Sequence, residues 1–313
     1  MSWVVWRQGR SENVVLLALL GTVALVLVLT GAHMRSVFTA NGLAACTGDS
    51  ATSPPSCSIL VQGFESRFDS LSALAPWFGM ASGLMGVLLA APLVLELDQG
   101  TYRLAWTQSL TPRRWLTTRI GLLVIGSIAC GAVLIALGTW WRHPLDALAG
   151  RVSPDQFDLE GVLPIAYTLL AAAAVLAVGT VTRRTGLAVA GGFGVYLVAR
   201  LLSPTIRQQL IAPVHSLTPA PHAPVGIFKA WVISQGFTDA HGHSIPGGVP
   251  NSCFNGQNSL SDSCLVNHHV FQNIVYEPAS RFWTLQGAEA GIFIALSLAL
   301  LALAAWWINR RIA

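Results

Sequence analysis

ELDQGTYRLAWTQSLTPRRW, residues 96–115, is a polar and basic stretch that lies between two long apolar runs. The first run ends at Leu95 and the second begins at Ile120. A helix needs about 20 mostly apolar residues to cross a bilayer, and both runs reach that length. Residues 96–115 are therefore predicted to leave a membrane and re-enter it.

The composition of the chain points to the same class of protein. Hydrophobic residues make up 53% of the 313 residues and charged residues only 10%, whereas about a quarter of a soluble domain is charged. The net charge of +4 comes almost wholly from arginine, because Lys229 is the only lysine. No dense basic run is present to follow a phosphate backbone. Membrane lipid is thus an expected partner, and nucleic acid is not.

Six apolar windows in the sequence predict membrane-spanning helices. They are continuous and lack the alternating pattern of barrel strands. The windows are residues 14–30, 76–95, 120–141, 162–181, 186–202 and 290–308. The predicted fold class is an all-α polytopic membrane protein with six transmembrane helices.

The arginines predict the orientation of these spans. If the N-terminus is inside, the short segments on that side hold most of the arginines, and positive charge in short loops marks the cytoplasmic face. Those arginines are Arg7, Arg10, Arg103, Arg113, Arg114, Arg119, Arg183, Arg184, Arg310 and Arg311. Both termini are therefore predicted to be cytoplasmic.

This orientation leaves three long outer loops, at about residues 32–75, 142–161 and 203–286. The last is too long for a plain connector. Its apolar patch at residues 225–233 is interpreted as a short helix that dips into the outer interface.

Two pairs of cysteines fall in the outer loops. Cys46 and Cys57 lie in the first loop, and Cys253 and Cys264 lie in the last. Cysteines on the non-cytoplasmic side commonly form disulfides, so we predict the local pairs Cys46–Cys57 and Cys253–Cys264. Four cysteines allow three pairings, and four free thiols are the remaining alternative.

The sequence offers little for catalysis or metal binding. All eight histidines fall in the outer loops, where bridged cysteines would leave no set of partners with zinc-ligand spacing. We expect no metal site, with a metal-binding or pH-sensing role for the histidines as the alternative. No Gly-x-x-x-x-Gly-Lys-Ser/Thr motif and no hydrolase motif is present. We therefore expect no enzyme activity, no catalytic residue and no cofactor in this chain.

A few ionisable residues lie at the ends of the predicted spans. Glu96 and Arg119 are at the inner boundary, and Arg200 and Glu289 are near the outer one. Charges are costly in hydrocarbon, which makes such residues functional candidates. The alternative is that each side chain snorkels to its interface. Because no charge lies deep in a span, the sequence argues against a proton- or sodium-coupled carrier.

Two stretches resemble a known family. The acidic-x-acidic-x-Gly-Thr run at residues 96–101, with its later Pro-Arg pair, resembles the signature of type-2 ATP-binding-cassette (ABC) permeases. Residues 91–116 and the stretch YEPASRFW at 276–283 resemble an actinobacterial branch of that family. The resemblance implies a permease domain over residues 14–313, preceded by a cytoplasmic or interfacial segment at residues 1–13.

The resemblance also implies where a separate ATPase subunit docks, namely on the cytoplasmic segment 96–119. The docking residues that it implies are Glu96, Asp98, Gly100, Thr101, Arg103, Leu104, Pro112, Arg113 and Arg114. Thr101 is placed to cap a helix, and Tyr102 is expected to offer an apolar anchor to the partner. The candidates for an outer cap or gate are Arg200, Arg281, Trp283 and Glu289.

The function implied is that of a membrane-spanning permease subunit of an ABC transporter in a bacterial plasma membrane. It would export an apolar or amphiphilic compound, with ATP and Mg held by two copies of the ATPase partner. A second permease copy, as a homodimer, or a paralogous permease would complete the transporter. The alternatives are a non-transporting sensor or assembly subunit that binds a ligand through its outer loops, and a membrane enzyme that has borrowed the fold.

Overall fold

The chain was analysed as a computed structural model, which describes residues 10–48, 54, 56–102, 111–153, 157–220, 227, 229–245, 248–254 and 260–311. Helices dominate this part of the chain. The α-helices are α1 (Arg10–Ala40), α2 (Cys57–Ser72), α3 (Ala75–Gln99), α4 (Pro112–Ala149), α5 (Leu163–Thr182), α6 (Thr185–Leu210), α7 (Asp262–Asn267) and α8 (Phe282–Arg311). Short 3-10 helices cover Leu43–Cys46, Phe157–Leu159, Asn251–Cys253 and Ala279–Arg281.

Six helical segments in the described residues are long and apolar enough to cross a membrane. They contain the six predicted windows except for Val162, which comes just before the fourth segment, so the prediction of six such helices is confirmed. Several helices continue past the windows. α4 runs to Ala149, and α6 continues through Pro204 to Leu210. The predicted windows ended at charged residues or proline. The helices continue further, because their backbone hydrogen bonds do not depend on apolar side chains.

Helix α5 forms the centre of the bundle. It is buried along nearly its whole length, including the small residues of the run 171–174. α3 approaches it closely at Gly86, where an added Cβ would lie 2.4 Å from the carbonyl oxygen of Thr168. α6 approaches it at Gly192 in the same way. Small residues let membrane helices pack backbone to backbone, which explains why an alanine-rich helix occupies the core.

The bundle has two ends. The junction end holds the C-terminus of α3, the N-terminus of α4 and the α5–α6 turn. The disulfide end holds the opposite ends of these helices, together with both disulfides. Cys46–Cys57 joins a 3-10 helix to the start of α2, with 5.4 Å between the Cα atoms, and Cys253–Cys264 joins a 3-10 helix to α7, with 5.3 Å. Both disulfides have the predicted pairing.

The disulfide end also contains a small antiparallel sheet. Its strands are β1 (Val214–Pro219), β2 (Trp231–Thr238) and β3 (Phe271–Glu277), in the order β1-β3-β2. The register pairs Val214 with Tyr276 on one side of β3 and Trp231 with Glu277 on the other. β1 begins shortly after α6 ends, and β3 ends shortly before α8 begins, so the sheet is anchored to both helices.

The sheet corrects two sequence predictions. The chain is mostly helical rather than all-α. Residues 231–233, the described end of the predicted interfacial helix, begin strand β2. The cause is local: aromatic and β-branched residues of this segment pack best on a pleated surface. The loops predicted at 32–75 and 142–161 are also largely helical, because α1, α2 and α4 extend into them.

Candidate functional site

The residues of the predicted docking segment that the structure describes lie at the junction end. Glu96 and Asp98 are in the last turn of α3, which ends where Gly100 adopts a left-handed φ of 71°. Pro112 is the first residue of α4, and the exposed residues Arg113 and Arg114 follow it. Arg103 and Leu104 lie outside the described residues, as does the rest of 103–110.

Glu96 joins α3 to α4. Its carboxylate forms an ion pair and a hydrogen bond with the guanidinium group of Arg119, and both side chains are largely buried. Such a pair loses most of its value if one partner is removed, because the other charge is left without a counter-charge. Glu96 therefore links the two helices that flank the predicted docking segment.

Asp98 joins α3 to α6. Its Oδ2 accepts a hydrogen bond from the backbone N–H of Thr185 at 2.9 Å and another from the Thr185 hydroxyl at 2.7 Å. Thr185 is the first residue of α6, so Asp98 satisfies a free N–H of that helix and places a negative charge at its N-terminus. The two acids of the motif thus connect the junction ends of three helices.

Two details of this end differ from the sequence prediction. Tyr102 is buried against Trp115, with 6.3 Å between the ring centroids, so it is part of the core and not an anchor for a partner. Thr101 does not cap a helix as predicted, because its hydroxyl donates to the carbonyl oxygen of Glu96 at 3.5 Å. Thr111 instead caps α4, by accepting a hydrogen bond from the N–H of Arg114 at 3.4 Å. Exposed arginines, including Arg183 and Arg184, complete the surface.

At the disulfide end, the structure brings together two of the four gate candidates. Arg200 and Glu289 lie in one buried cluster. Arg281 instead donates to the carbonyl oxygen of Ala212 at 2.8 Å and pairs with Glu277 at 3.2 Å. Trp283 is 61% exposed. Arg281 and Trp283 therefore lie outside the cluster.

The cluster is built around Arg207, whose side chain is fully buried. Its Nε donates to Oε2 of Glu289 at 2.7 Å, and its Nη2 pairs with Asp158. The Tyr167 hydroxyl lies 2.8 Å from both Ser203 Oγ and Glu289 Oε1. Arg200 Nη1 completes the cluster at 2.5 Å from Asp158 Oδ2. Two carboxylates and two guanidinium groups make the cluster electrically neutral.

A second group of charges adjoins the first through the α4–α5 connector. Glu160 pairs with Arg151 at 2.7 Å and with Arg142 at 3.6 Å, and Arg142 also pairs with Asp146. Both Asp158 and Glu160 are on the connector: Asp158 lies within the 3-10 helix Phe157–Leu159, and Glu160 follows it directly. One short connector therefore supplies a carboxylate to each group.

The snorkelling alternative is wrong for Arg200 and Glu289, because both side chains are turned into the protein. Four members of the cluster were not predicted from the sequence, namely Asp158, Tyr167, Ser203 and Arg207. One signal was available: the buried residues of α6 fall at spacings of three or four. They are Ala188, Gly192, Tyr196, Arg200, Ser203 and Arg207.

A group with metal-ligand geometry occurs in the described part of the chain at Cys253, Cys264 and His268, whose ligand atoms lie within 4.8 Å of one another. The two cysteines form a disulfide, so neither offers the thiolate that binds a metal. The geometry thus gives no support to a metal site there.

Comparison with known proteins gave one match. A family model described as ABC-2 membrane transporter related matches residues 17–207, which is about three fifths of the chain. The matched part runs from α1 nearly to the end of α6 and includes Glu96, Asp98 and Arg207. No curated protein and no solved structure matches the chain.

Proposed function

We propose, because the chain belongs to the ABC-2 membrane transporter related family, that it is the permease subunit of an ABC exporter driven by a separate ATPase. Members of the ABC-2 permease family generally work with an ATPase subunit. The docking surface is the segment 96–119, and the permease domain extends over residues 14–313. The resemblance of residues 91–116 and 276–283 supports placing the chain in the actinobacterial branch.

The observation that carries the proposal is the pair of acids at the junction end. Glu96 holds Arg119 of α4, and Asp98 holds Thr185 of α6. A force applied to the segment between α3 and α4 would therefore act on three helices together. When ATP draws the two ATPase copies together, this linkage shifts the spans between inward- and outward-open states.

The orientation in the proposal has the junction end in the cytoplasm of a bacterial cell. Exposed arginines gather there, at Arg113, Arg114, Arg183 and Arg184, as expected for a cytoplasmic face. Both disulfides lie at the opposite end, which matches the oxidising side of the membrane. Both termini would then be cytoplasmic. Residues 1–9 of the proposed interfacial segment lie outside the described residues.

The proposed complex contains two copies of the ATPase, which bind ATP and Mg, and two permease chains that are identical or paralogous. This chain would itself hold no cofactor and catalyse no reaction. An apolar or amphiphilic cargo fits the composition of the spans. In the described part of the spans, the buried charges of the disulfide end are paired with one another, which leaves mainly apolar side chains to meet a cargo.

The test is reconstitution of the chain with the ATPase that co-purifies with it. We expect the permease to stimulate ATP hydrolysis and a subset of amphiphilic compounds to raise it further. Asp98→Ala should lower the cargo moved per ATP, whereas Gln62→Ala, at an exposed position of α2 outside the docking segment, should not. A reconstituted chain that neither stimulates an ATPase nor moves any compound would rule out the proposal.

A sensor that binds a ligand through its outer segments is the second candidate. The observation that favours it is the ordered sheet at the disulfide end, stabilised near Cys253–Cys264. A sensor would bind a ligand in the absence of any ATPase and would show no ATP-dependent movement of that ligand across the vesicle membrane.

A further inference from the structure

The buried cluster at the disulfide end has a strong part and a weak part. The strong part, called the joint, consists of Arg207, Glu289, Tyr167 and Ser203. Each of these residues hydrogen-bonds at least two other members, and together they connect α5, α6 and α8. The weak part, called the clasp, is the pair of Arg200 with Asp158.

The clasp is bonded less fully than the joint. Arg200 Nη1 pairs with Asp158 Oδ2 at 2.5 Å, but Arg200 Nε has no hydrogen-bond partner in the described part of the chain. Asp158 is also held by Arg207 through its other oxygen. Asp158 therefore keeps a counter-charge if Arg200 moves away, and only Arg200 then needs water or another acceptor.

Arg200 also fills a gap between α3 and α6. On the α3 side, the contact is made by two glycines. A Cβ on Gly79 would lie 3.6 Å from Arg200 Nη2, and a Cβ on Gly83 would lie 2.3 Å from the Tyr196 ring. Because α3 contributes no side chain at these positions, the side chains of Arg200 and Tyr196 on α6 fill the gap from one side.

The Arg200 side chain, called the plug below, suits a group that can leave the gap better than one that stabilises the fold. A buried ion pair is a poor source of stability, since apolar residues of similar volume often stabilise as well or better. The Arg200 side chain is 10% exposed, compared with 0% for Arg207. The plug thus lies close enough to the surface for water to solvate the guanidinium group after release.

We propose that Arg200 is the movable gate residue of the disulfide end and that Asp158 is the latch that holds it closed. Release of the clasp frees the Arg200 side chain to leave its place against Gly79 of α3, which opens the gap that this side chain fills. The joint keeps α5, α6 and α8 together meanwhile. This proposal rests on the proposed function, because it assigns the exit of an amphiphilic cargo to the α3–α6 contact. The apolar glycine face and the charged plug suit the two parts of such a cargo.

The test uses a cysteine at Gly79 as a reporter. Gly79→Cys is made in a Cys130→Ala background, and the added Cβ makes only ordinary contacts. The purified protein in lipid nanodiscs is treated with a neutral polyethylene-glycol maleimide, and the labelling rate is measured. His243→Cys, whose native side chain is 80% exposed, serves as the labelled reference.

We expect Gly79→Cys to label slowly while the clasp is closed. Adding Arg200→Gln or Asp158→Asn should raise the rate by at least about tenfold, even though removing a guanidinium group lowers the thiolate fraction of a neighbouring cysteine. Arg281→Gln, which removes an arginine outside the cluster, should leave the rate unchanged. Mass mapping of both disulfides excludes general unfolding. Equal rates in the parent and both clasp variants would overturn the proposal, as would an equal increase with Arg281→Gln.

A second arm separates this proposal from the proposed function. With the co-purifying ATPase present, addition of ATP and Mg should raise the labelling of Gly79→Cys in the parent protein. If the clasp variants raise the rate but ATP does not, the gate stands and the proposed coupling to an ATPase fails. If ATP-driven transport proceeds while Gly79→Cys stays protected throughout, the exit does not pass this contact and the gate assignment is wrong.

Discussion

Replacing Arg207 should destabilise this protein more than replacing any exposed arginine. The Arg207 side chain is fully buried and pairs with both Asp158 and Glu289, while its guanidinium group lies 4.1 Å from the centre of the Phe157 ring. Arg207→Gln leaves two buried carboxylates sharing the one remaining arginine of the cluster. Removing one partner of a buried ion pair typically costs about 3–5 kcal/mol.

Part of this cost is offset in the structure. Glu289 keeps the hydroxyl groups of Tyr167 and Ser203 as donors, and Asp158 keeps Arg200. The expected loss is therefore near the lower limit of that range, about 3 kcal/mol. The joint holds α5, α6 and α8 together, so the loss should appear in the global unfolding transition and not only in a local one.

The measurement is the free energy of unfolding in mixed detergent micelles, followed by tryptophan fluorescence. Arg67→Gln is the control, because Arg67 is exposed on α2 and should change stability by less than about 0.5 kcal/mol. The double variant Arg207→Gln, Glu289→Gln should recover part of the loss, since it removes an unpaired charge. If Arg207→Gln proves no more destabilising than Arg67→Gln, the account of a paired, buried cluster is refuted.

Three further predictions follow from close packing, the junction end and the first disulfide. Gly86→Ala should destabilise the bundle by about 1–3 kcal/mol, because the new Cβ would lie 2.4 Å from a backbone oxygen of α5; unfolding in micelles measures this. Asp98→Ala should free the first N–H of α6 and raise hydrogen exchange at Thr185, which mass spectrometry detects. Replacing Cys46 and Cys57 by serine should cost up to about 3 kcal/mol, measured as a lower midpoint of thermal unfolding.

Each of these predictions has a control. Gly121→Ala, where nothing lies within 4 Å of the added Cβ, should be close to neutral, and a loss equal to that of Gly86→Ala would contradict the packing argument. Unchanged exchange at Thr185 in Asp98→Ala would show that Asp98 does not cap α6. For the disulfide, reduction of a variant in which Cys253 and Cys264 are replaced by serine should reproduce the shift caused by replacing Cys46 and Cys57 in that same variant. A shift in only one of these two experiments would argue against the loop-closure explanation.

The spans and the disulfides were predictable because their signals are local. An apolar run of 20 residues has few ways to satisfy its backbone other than a helix in lipid, and the cysteine pairs are close in sequence. The sequence analysis also identified Glu96 and Asp98, through the motif they form. It could not find their partners Arg119 and Thr185, because both contacts depend on how separate helices pack.

The charge cluster was missed for a related reason. Arg207 and Asp158 fall outside the apolar windows, so the sequence placed each in an outer loop. α6 in fact continues past Pro204 to Leu210, which carries Arg207 into the core opposite Glu289. The sheet was missed because β1 and β3 are separated by more than 50 residues, and no local pattern in a segment rich in proline and glycine reveals such a pairing.

The most direct test of the central claim is a photo-crosslink from the junction end to the ATPase subunit. A photoreactive amino acid is placed at the exposed position Arg113 and, as the control, at Ile59, which is 75% exposed at the disulfide end. We predict that Arg113 captures a protein whose peptides contain the Gly-x-x-x-x-Gly-Lys-Ser/Thr motif of an ATPase, and that Ile59 does not. Capture of that ATPase from Ile59, or its absence from Arg113 in cells that contain it, would contradict the account.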